Sequence, residues 1–311
     1  MKVKLLASAL LICFFVGCVK VDMVKPALST YPLPGNQFFP EGIAYNPRTG
    51  IFYTGSTTNG DILQVNVETG ATALFAAGAK QGRTFATGMK LDSRDRLWVC
   101  GGSQGVIQVL SSSGDLIKAW DAKALFNAGF VNDCIISDGY IYFTDSQMRK
   151  IYRTRVNTQQ PGELEEWLTF TDQQIPYATG TNANGIEATP DGKYLIVVIS
   201  NSGKLFRINI SNKSIAEIQL TTPVNSGDGL LLDGNTLYVS RNATGLIFPV
   251  ELNKTYTQGT VGFGFGNGLL FNTTLAKAGK YLLVVNGQLN RRSGNPPAVL
   301  PFSVSRVAIP D

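Results

Sequence analysis

The chain has no histidine in its 311 residues. That absence removes Ser–His–Asp and Cys–His nucleophilic systems, histidine-ligated zinc, and histidine as a general base. Chemistry is left to carboxylates, amides, hydroxyls, lysine, tyrosine or a metal. A metal held by oxygen alone points to calcium or magnesium. Cysteine is scarce as well. Of four, Cys13 and Cys18 fall in the amino-terminal segment, leaving Cys100 and Cys134 for the folded body, each inside an apolar run. They read as two buried thiols, with a disulfide open to an oxidising compartment and suitable geometry. Charge of one sign is not concentrated either. The formal net charge is +5, Lys2 and Lys4 belong to the leader, and the other basic residues are scattered apart from Arg291 and Arg292. Nucleic acid is therefore not an expected partner.

The amino terminus reads as a targeting segment. Lys2 and Lys4 precede apolar residues 5–16, a run too short to span a bilayer comfortably. It ends in Phe15, Val16, Gly17 and Cys18, which resembles a bacterial lipobox with Cys18 as the lipidated residue. Phe15 stands where that box usually has leucine, and ordinary secretory cleavage nearby is the alternative. The expected organisation is a signal segment over 1–18, a tether over 19–34 and one folded unit over 35–311. The mature protein is expected outside the cytoplasm, periplasmic, at the cell surface or secreted. It would meet a membrane only through a lipid anchor.

What the sequence does have is a repeat. An oxygen-bearing side chain opens a short apolar run at Glu41, Thr87, Asn132, Asn184, Asp228 and Thr273, at intervals of 46, 45, 52, 44 and 45 residues. Each begins a similar phrase, a polar residue, usually glycine next, an apolar run, a turn and a second apolar run. EGIAYNPRTGIFYTGS from Glu41, TGMKLDSRDRLWVCGG from Thr87 and DGLLLDGNTLYVSRN from Asp228 are examples. Short strands and tight turns at a period in the forties predict β-propeller blades. Six copies predict an all-β, six-bladed propeller of four strands per blade. The long interval leaves a loop around 170–181, a lid or a plain insertion, and a short helix is expected around 122–127. The last alternating run, 302–309, could close the ring with residues near Tyr31 and Leu33.

The first strand of a propeller blade lines the central channel, so the six positions form a ring at one mouth. The sixth place is open between Thr273 and Asn267. Glu41 and Asp228 carry two negative charges, and Asn132 and Asn184 add carbonyl oxygens. That set suits one divalent cation, calcium first. Carboxylates facing across an empty channel would repel. Isolated Asn-Gly and Asp-Gly pairs are ordinary turn chemistry, but Glu41 is not a turn residue and all six positions share a phase.

The phrases FPEGIAYNP at 39–47, FVNDCIISDGYIYFTDS at 130–146, NANGIEATPDGK at 182–193 and GDGLLLDGNTLYV at 227–239 resemble the gluconolactonase, senescence-marker-protein and luciferin-regenerating-enzyme family. A calcium-dependent diisopropyl fluorophosphatase carries a similar Glu/Asn/Asn/Asp set. The resemblance covers essentially all of 38–310 and implies a divalent ion on Glu41, Asn132, Asn184 and Asp228. It also implies hydrolysis of lactones or phosphotriester-like esters, with Asp228 as nucleophile or base. The sugar-lactone members have an arginine two residues before the position of Asn132, where this chain has Phe130. Phe39, Phe85 and Phe271 stand at the same phase elsewhere. Alternation along a strand would set these rings beside the metal as an apolar collar; packing between blades is the alternative.

The expectation is a monomeric, metal-dependent hydrolase of a small lactone or ester with apolar substituents. Thr87, Thr273, Phe39, Phe85 and Phe130 are candidate substrate contacts, and Asp133 and Asp145 are secondary candidates that could simply cap turns. The rival is a non-catalytic propeller with a structural calcium that binds a ligand or protein on its loop face, since fold alone does not imply catalysis. A condensing enzyme of the strictosidine-synthase type shares the architecture but not the oxygen set.

Overall fold

The structure, a computed structural model, describes residues 28–156 and 158–310. The expected signal segment, Cys18 and most of the expected tether lie outside the described residues. Within them the chain is all-β and propeller-like, with 24 strands, one short α-helix, α1 (Ala122–Phe126), and three single-turn 3-10 helices. The strands run β1 (Thr30–Leu33), β2 (Pro40–Asn46), β3 (Ile51–Ser56), β4 (Ile62–Asn66), β5 (Thr72–Ala76), β6 (Met89–Leu91), β7 (Leu97–Cys100) and β8 (Val106–Leu110). Next come β9 (Leu116–Asp121), β10 (Val131–Ser137), β11 (Tyr140–Asp145), β12 (Lys150–Arg155), β13 (Glu165–Thr169), β14 (Ala183–Ala188), β15 (Tyr194–Ile199) and β16 (Lys204–Asn209). The last are β17 (Ile215–Leu220), β18 (Gly227–Asp233), β19 (Thr236–Arg241), β20 (Leu246–Leu252), β21 (Gln258–Val261), β22 (Asn272–Ala278), β23 (Tyr281–Asn286) and β24 (Phe302–Ala308).

Strands β2–β5, β6–β9 and β10–β13 each make a four-stranded sheet in chain order. Strands β14–β21 form one eight-stranded sheet, in which the meanders β14–β17 and β18–β21 touch through two parallel pairs, Gln219 with Gln258 and Leu220 with Gly259. The last sheet is β22, β23, β24 and then β1. Thr30–Leu33, inside the segment expected to be a tether, is thus an edge strand antiparallel to β24. Its alternation explains why: Tyr31 and Leu33 are buried while Thr30 and Pro32 face out. The Tyr31 hydroxyl also donates to the Val67 carbonyl at 2.9 Å, tying the last sheet to the first. The run 302–309 therefore does pair with residues around Tyr31 and Leu33.

The opening strands are neighbours in a closed cycle: β2, β6, β10, β14, β18, β22 and back to β2. The apolar cores lie between successive meanders. One joins Trp98 and Ile107 to Ile141 and Phe143, and another joins Phe302 and Val285 to Phe52 and Val65.

Inner strands this close explain the repeated glycine. A Cβ on Gly42 would lie 2.0 Å from the Thr87 carbonyl oxygen, and one on Gly185 would lie 2.2 Å from that of Asp228. Each of β2, β10, β14, β18 and β22 also carries a bulge spanning the ring position and its successor, as between Pro40 and Ile43 or Gly227 and Leu230. A bulge re-aims the side chain it contains. Thr273 occupies the bulge of β22, whereas Asn267 lies in a turn before that strand, so Thr273 is the sixth member by phase.

Candidate metal centre

A cavity of about 420 Å³ opens at the ring mouth, and Glu41, Thr87, Asn132, Asn184 and Asp228 all line it. They form its deep end: the four proposed ligands are only 4–6% exposed. Phe85, Phe130 and Phe271 supply apolar wall, and Gly180 and Thr181 bring the 170–181 loop to the rim. That loop is anchored rather than free, with Ile175 buried and the Tyr177 hydroxyl donating to the Asp145 carbonyl at 2.9 Å.

Two expected substrate contacts are placed elsewhere. Phe39 is 2% exposed and its ring packs 4.8 Å from that of Phe302, outside the cavity wall. The phenylalanines at this phase precede their strands rather than belonging to them, so strand alternation does not govern their rings. Thr273 is fully buried and its hydroxyl donates to the Glu41 carbonyl at 2.8 Å, a link between β22 and β2 and not a substrate contact. Thr87 does reach the cavity, with its hydroxyl 3.1 Å from the Val131 carbonyl and 3.2 Å from that of Cys100.

The secondary acids resolve into structural roles. Asp145 accepts from the backbone N–H groups of Gly129, Phe130, Gln147 and Met148 and from the Tyr152 hydroxyl, at 2.8–2.9 Å. It thereby fixes the loop that carries Phe130. Asp133 accepts from Cys134 N–H at 2.8 Å and has half-buried Lys90 as its countercharge.

The donor set can be tested against a cation through its hydrogen bonds. Asn132 Nδ2 donates to Ser146 Oγ at 2.8 Å, which commits its amide nitrogen and leaves Oδ1 as the free end. Buried Asn132 Oδ1 and Glu41 Oε2 have no hydrogen-bond partner. Orphaned buried oxygens are costly, and a hard cation would satisfy both. Asp228 Oδ2 accepts from Asn242 Nδ2 at 3.1 Å, and the Asn184 amide hydrogen-bonds Asp228. Turned over, the Asn184 amide would present its oxygen instead. No cluster of three or more His, Cys, Asp or Glu suited to a metal occurs among the described residues. The ring instead combines two carboxylates with two amides, a hard-oxygen set that fits calcium.

The electrostatics of the ring favour a neighbouring cation. Burial pushes Glu41 well above the usual carboxylate range, with the nearby charges of Asp228 and Asp133 adding to it. Burial also raises Asp228, to about 7, against the hydrogen bond from Asn242.

Several cavity residues were not singled out in the sequence: Thr57, Ser146, Ser200 and Asn242 follow the second strands of their meanders. Ser146, Ser200 and Asn242 close their phrases and Thr57 follows its own directly, so the signal was there, at the end of each phrase rather than its start. Leu289 and Asn290 come from the loop after β23 and match no repeat.

No family model and no curated protein sequence matches this chain. Solved structures do. A calcium-binding protein, regucalcin, from Agrobacterium tumefaciens matches over 91% of this chain and 95% of its own at 13% identity, with a TM-score of 0.65. A gluconolactonase from Xanthomonas campestris matches over 92% and 99% at 14% identity, TM-score 0.62. A catalytically inactive histidine-to-alanine variant of virginiamycin B lyase from Staphylococcus aureus, with quinupristin, matches over 90% and 98% at 14% identity, TM-score 0.60. The chain shares their fold.

Proposed function

We propose that this chain is a six-bladed propeller hydrolase that binds one divalent ion, calcium first, and opens a small lactone or ester. The carrying observation is the pair of orphaned buried oxygens, Glu41 Oε2 and Asn132 Oδ1, in a ring with Asn184 and Asp228. The closed cycle of opening strands supports six blades, with the eight-stranded sheet being two blades that touch at their outer edges.

Glu41, Asn132, Asn184 and Asp228 would hold the ion, which supplies polarisation of a carbonyl or phosphoryl oxygen and stabilises the charge that develops on it. Asp228, which the ion would hold ionised, is placed to take a proton from the attacking water or to attack directly. Asn242 fixes that carboxylate by donating to Oδ2 at 3.1 Å. Phe85, Phe130 and Phe271 would exclude water and hold an apolar substituent. The lyase among the structural neighbours is inactive once a histidine is replaced. This chain has no histidine, so that lyase chemistry is disfavoured. Gluconolactonase and regucalcin neighbours favour the calcium-dependent hydrolase over a purely structural ion. The protein is read as a monomer acting on a small molecule, outside the cytoplasm and held to a membrane only if Cys18 carries lipid.

The test is a panel of alkyl- and aryl-substituted lactones and aryl esters, assayed against gluconolactone with and without a chelator. Turnover of the apolar members should exceed that of gluconolactone and vanish with chelation. Asp228→Asn should lower kcat by about 100-fold or more, as expected for loss of a general base. Wild-type turnover in that variant would reject the assignment.

A further inference from the structure

We propose that Arg292 anchors an anionic, carboxylate-type substituent of the substrate at the cavity rim. The preferred ligand then has an ester or lactone carbonyl at its inner end, an apolar middle and a negative outer end. This rests on the hydrolase reading of the same cavity and adds the class of substrate.

Arg292 follows Leu289 and Asn290, which line the cavity, on the loop between β23 and β24. Its guanidinium carbon lies 5.6 Å from the ring centre of Phe85, itself part of the cavity wall, and 5.5 Å from that of Phe39. Nη2 donates to Thr57 Oγ1, another cavity residue. The cation is thus held by Phe85 and Thr57 of the cavity on one side and by the Phe39 ring, outside the cavity wall, on the other. Among the described residues it joins no ion pair, although nine such pairs form elsewhere. Among the described residues Thr57 is the one side chain that accepts from it, which leaves most of its five N–H donors open to a ligand.

Arginine is suited to this position because its weakly hydrated, planar cation stacks on aromatic faces while its edge pairs bidentately with carboxylate. The cavity is then polarised. Glu41 and Asp228 lie at the deep end, Phe85 and Phe130 in the wall with ring centres 5.9 Å apart, and Arg292 lies just outside that wall, touching Phe85 and Thr57 while lining a second cavity of about 240 Å³. A ligand with a negative outer end is drawn to the rim and turned carbonyl-inward. The resemblance noted in the sequence places an arginine at the position of Phe130. Here a guanidinium reaches the collar from a different part of the chain.

The experiment is isothermal titration of the calcium-loaded full chain with 4-phenylbutyrate and its neutral counterpart 4-phenylbutyramide, repeated on Arg292→Met and Arg292→Lys. The wild type should prefer the anion by about tenfold, the scale of one charge-assisted contact. That preference should vanish in Arg292→Met, survive in part in Arg292→Lys, and shrink as salt is raised in the wild type. The salt series needs no variant, so it stands even if a substitution unfolds the chain. Equal affinity for the two compounds, binding of neither, or an anion preference that survives Arg292→Met would overturn the proposal, the last by placing the anion on the calcium. Hydrolysis is read separately on phenyl esters. An intact, Arg292-dependent preference without turnover of any ester would reject the hydrolase reading and leave the anion site standing.

Discussion

Asp228 and Glu41 are held where their charged forms are disfavoured, and that sets a pH dependence. A carboxyl whose folded pKa is raised keeps its proton in the native state after the unfolded chain has lost it. In the metal-free fold these two groups therefore contribute stability that is fully present below the ordinary carboxylate range and is lost as pH rises, through about 7 for Asp228. A cation needs both groups ionised, so binding displaces protons at low pH. Calcium affinity should weaken by about tenfold per pH unit below 7 for each proton displaced. Calcium should raise Tm more at pH 8 than at pH 5.5. Titrations that give the same affinity at both pH values would contradict the raised carboxyls. At this scale much of the site was legible: Glu41, Asn132, Asn184 and Asp228 all reach one cavity, because residues at one phase of a repeat must share one mouth. Phe39 lies ahead of its strand as the other three rings do, but it packs on Phe302 instead of lining the cavity, a difference that position in the repeat does not show. Arg292 stood out only as half of the basic pair with Arg291, and nothing tied that pair to the cavity, since its loop belongs to no repeat.

At the level of the element, the inner strands crowd one another, and the glycine after the ring residue is the consequence. Gly42→Ala would put a methyl 2.0 Å from a backbone carbonyl of the next inner strand, where no flexible side chain can yield. We expect it to destabilise by about 1–3 kcal/mol or more, the cost of overpacking, and to weaken calcium binding through the displaced Glu41. Gly50→Ala is a control of a different kind: it meets nothing within 4 Å but has φ of +67°, so it bears only backbone strain. Chemical denaturation of the two side by side separates the effects; a Gly42→Ala cost no larger than that of Gly50→Ala would count against close approach. The glycine was visible in the repeated phrase, but its reason was not, because a sequence shows spacing along one strand and not the distance to the next. The bulges were hidden for the same reason. An extra residue is counted only against a partner strand.

Over the whole molecule, the first and last described strands meet: β1 completes the sheet of β22–β24, and Tyr31 reaches across to the first sheet. Closure fixes the spacing of the opening strands, and through them the separation of four oxygens contributed from positions 41 to 228. The period made this architecture readable, and the alternation of 302–309 made its closure readable. The eight-stranded sheet was not, since the two-residue contact between β17 and β21 leaves no pattern in either strand. The central claim is that this closed ring exists to hold one cation among Glu41, Asn132, Asn184 and Asp228. Isothermal titration of calcium into chelator-treated protein tests it most directly. The account predicts one ion per chain, with binding weakened by about 100-fold or more in Glu41→Gln and Asp228→Asn, at unchanged circular dichroism. A wild type that binds no divalent ion, or variants that bind calcium as tightly as the wild type, would contradict it.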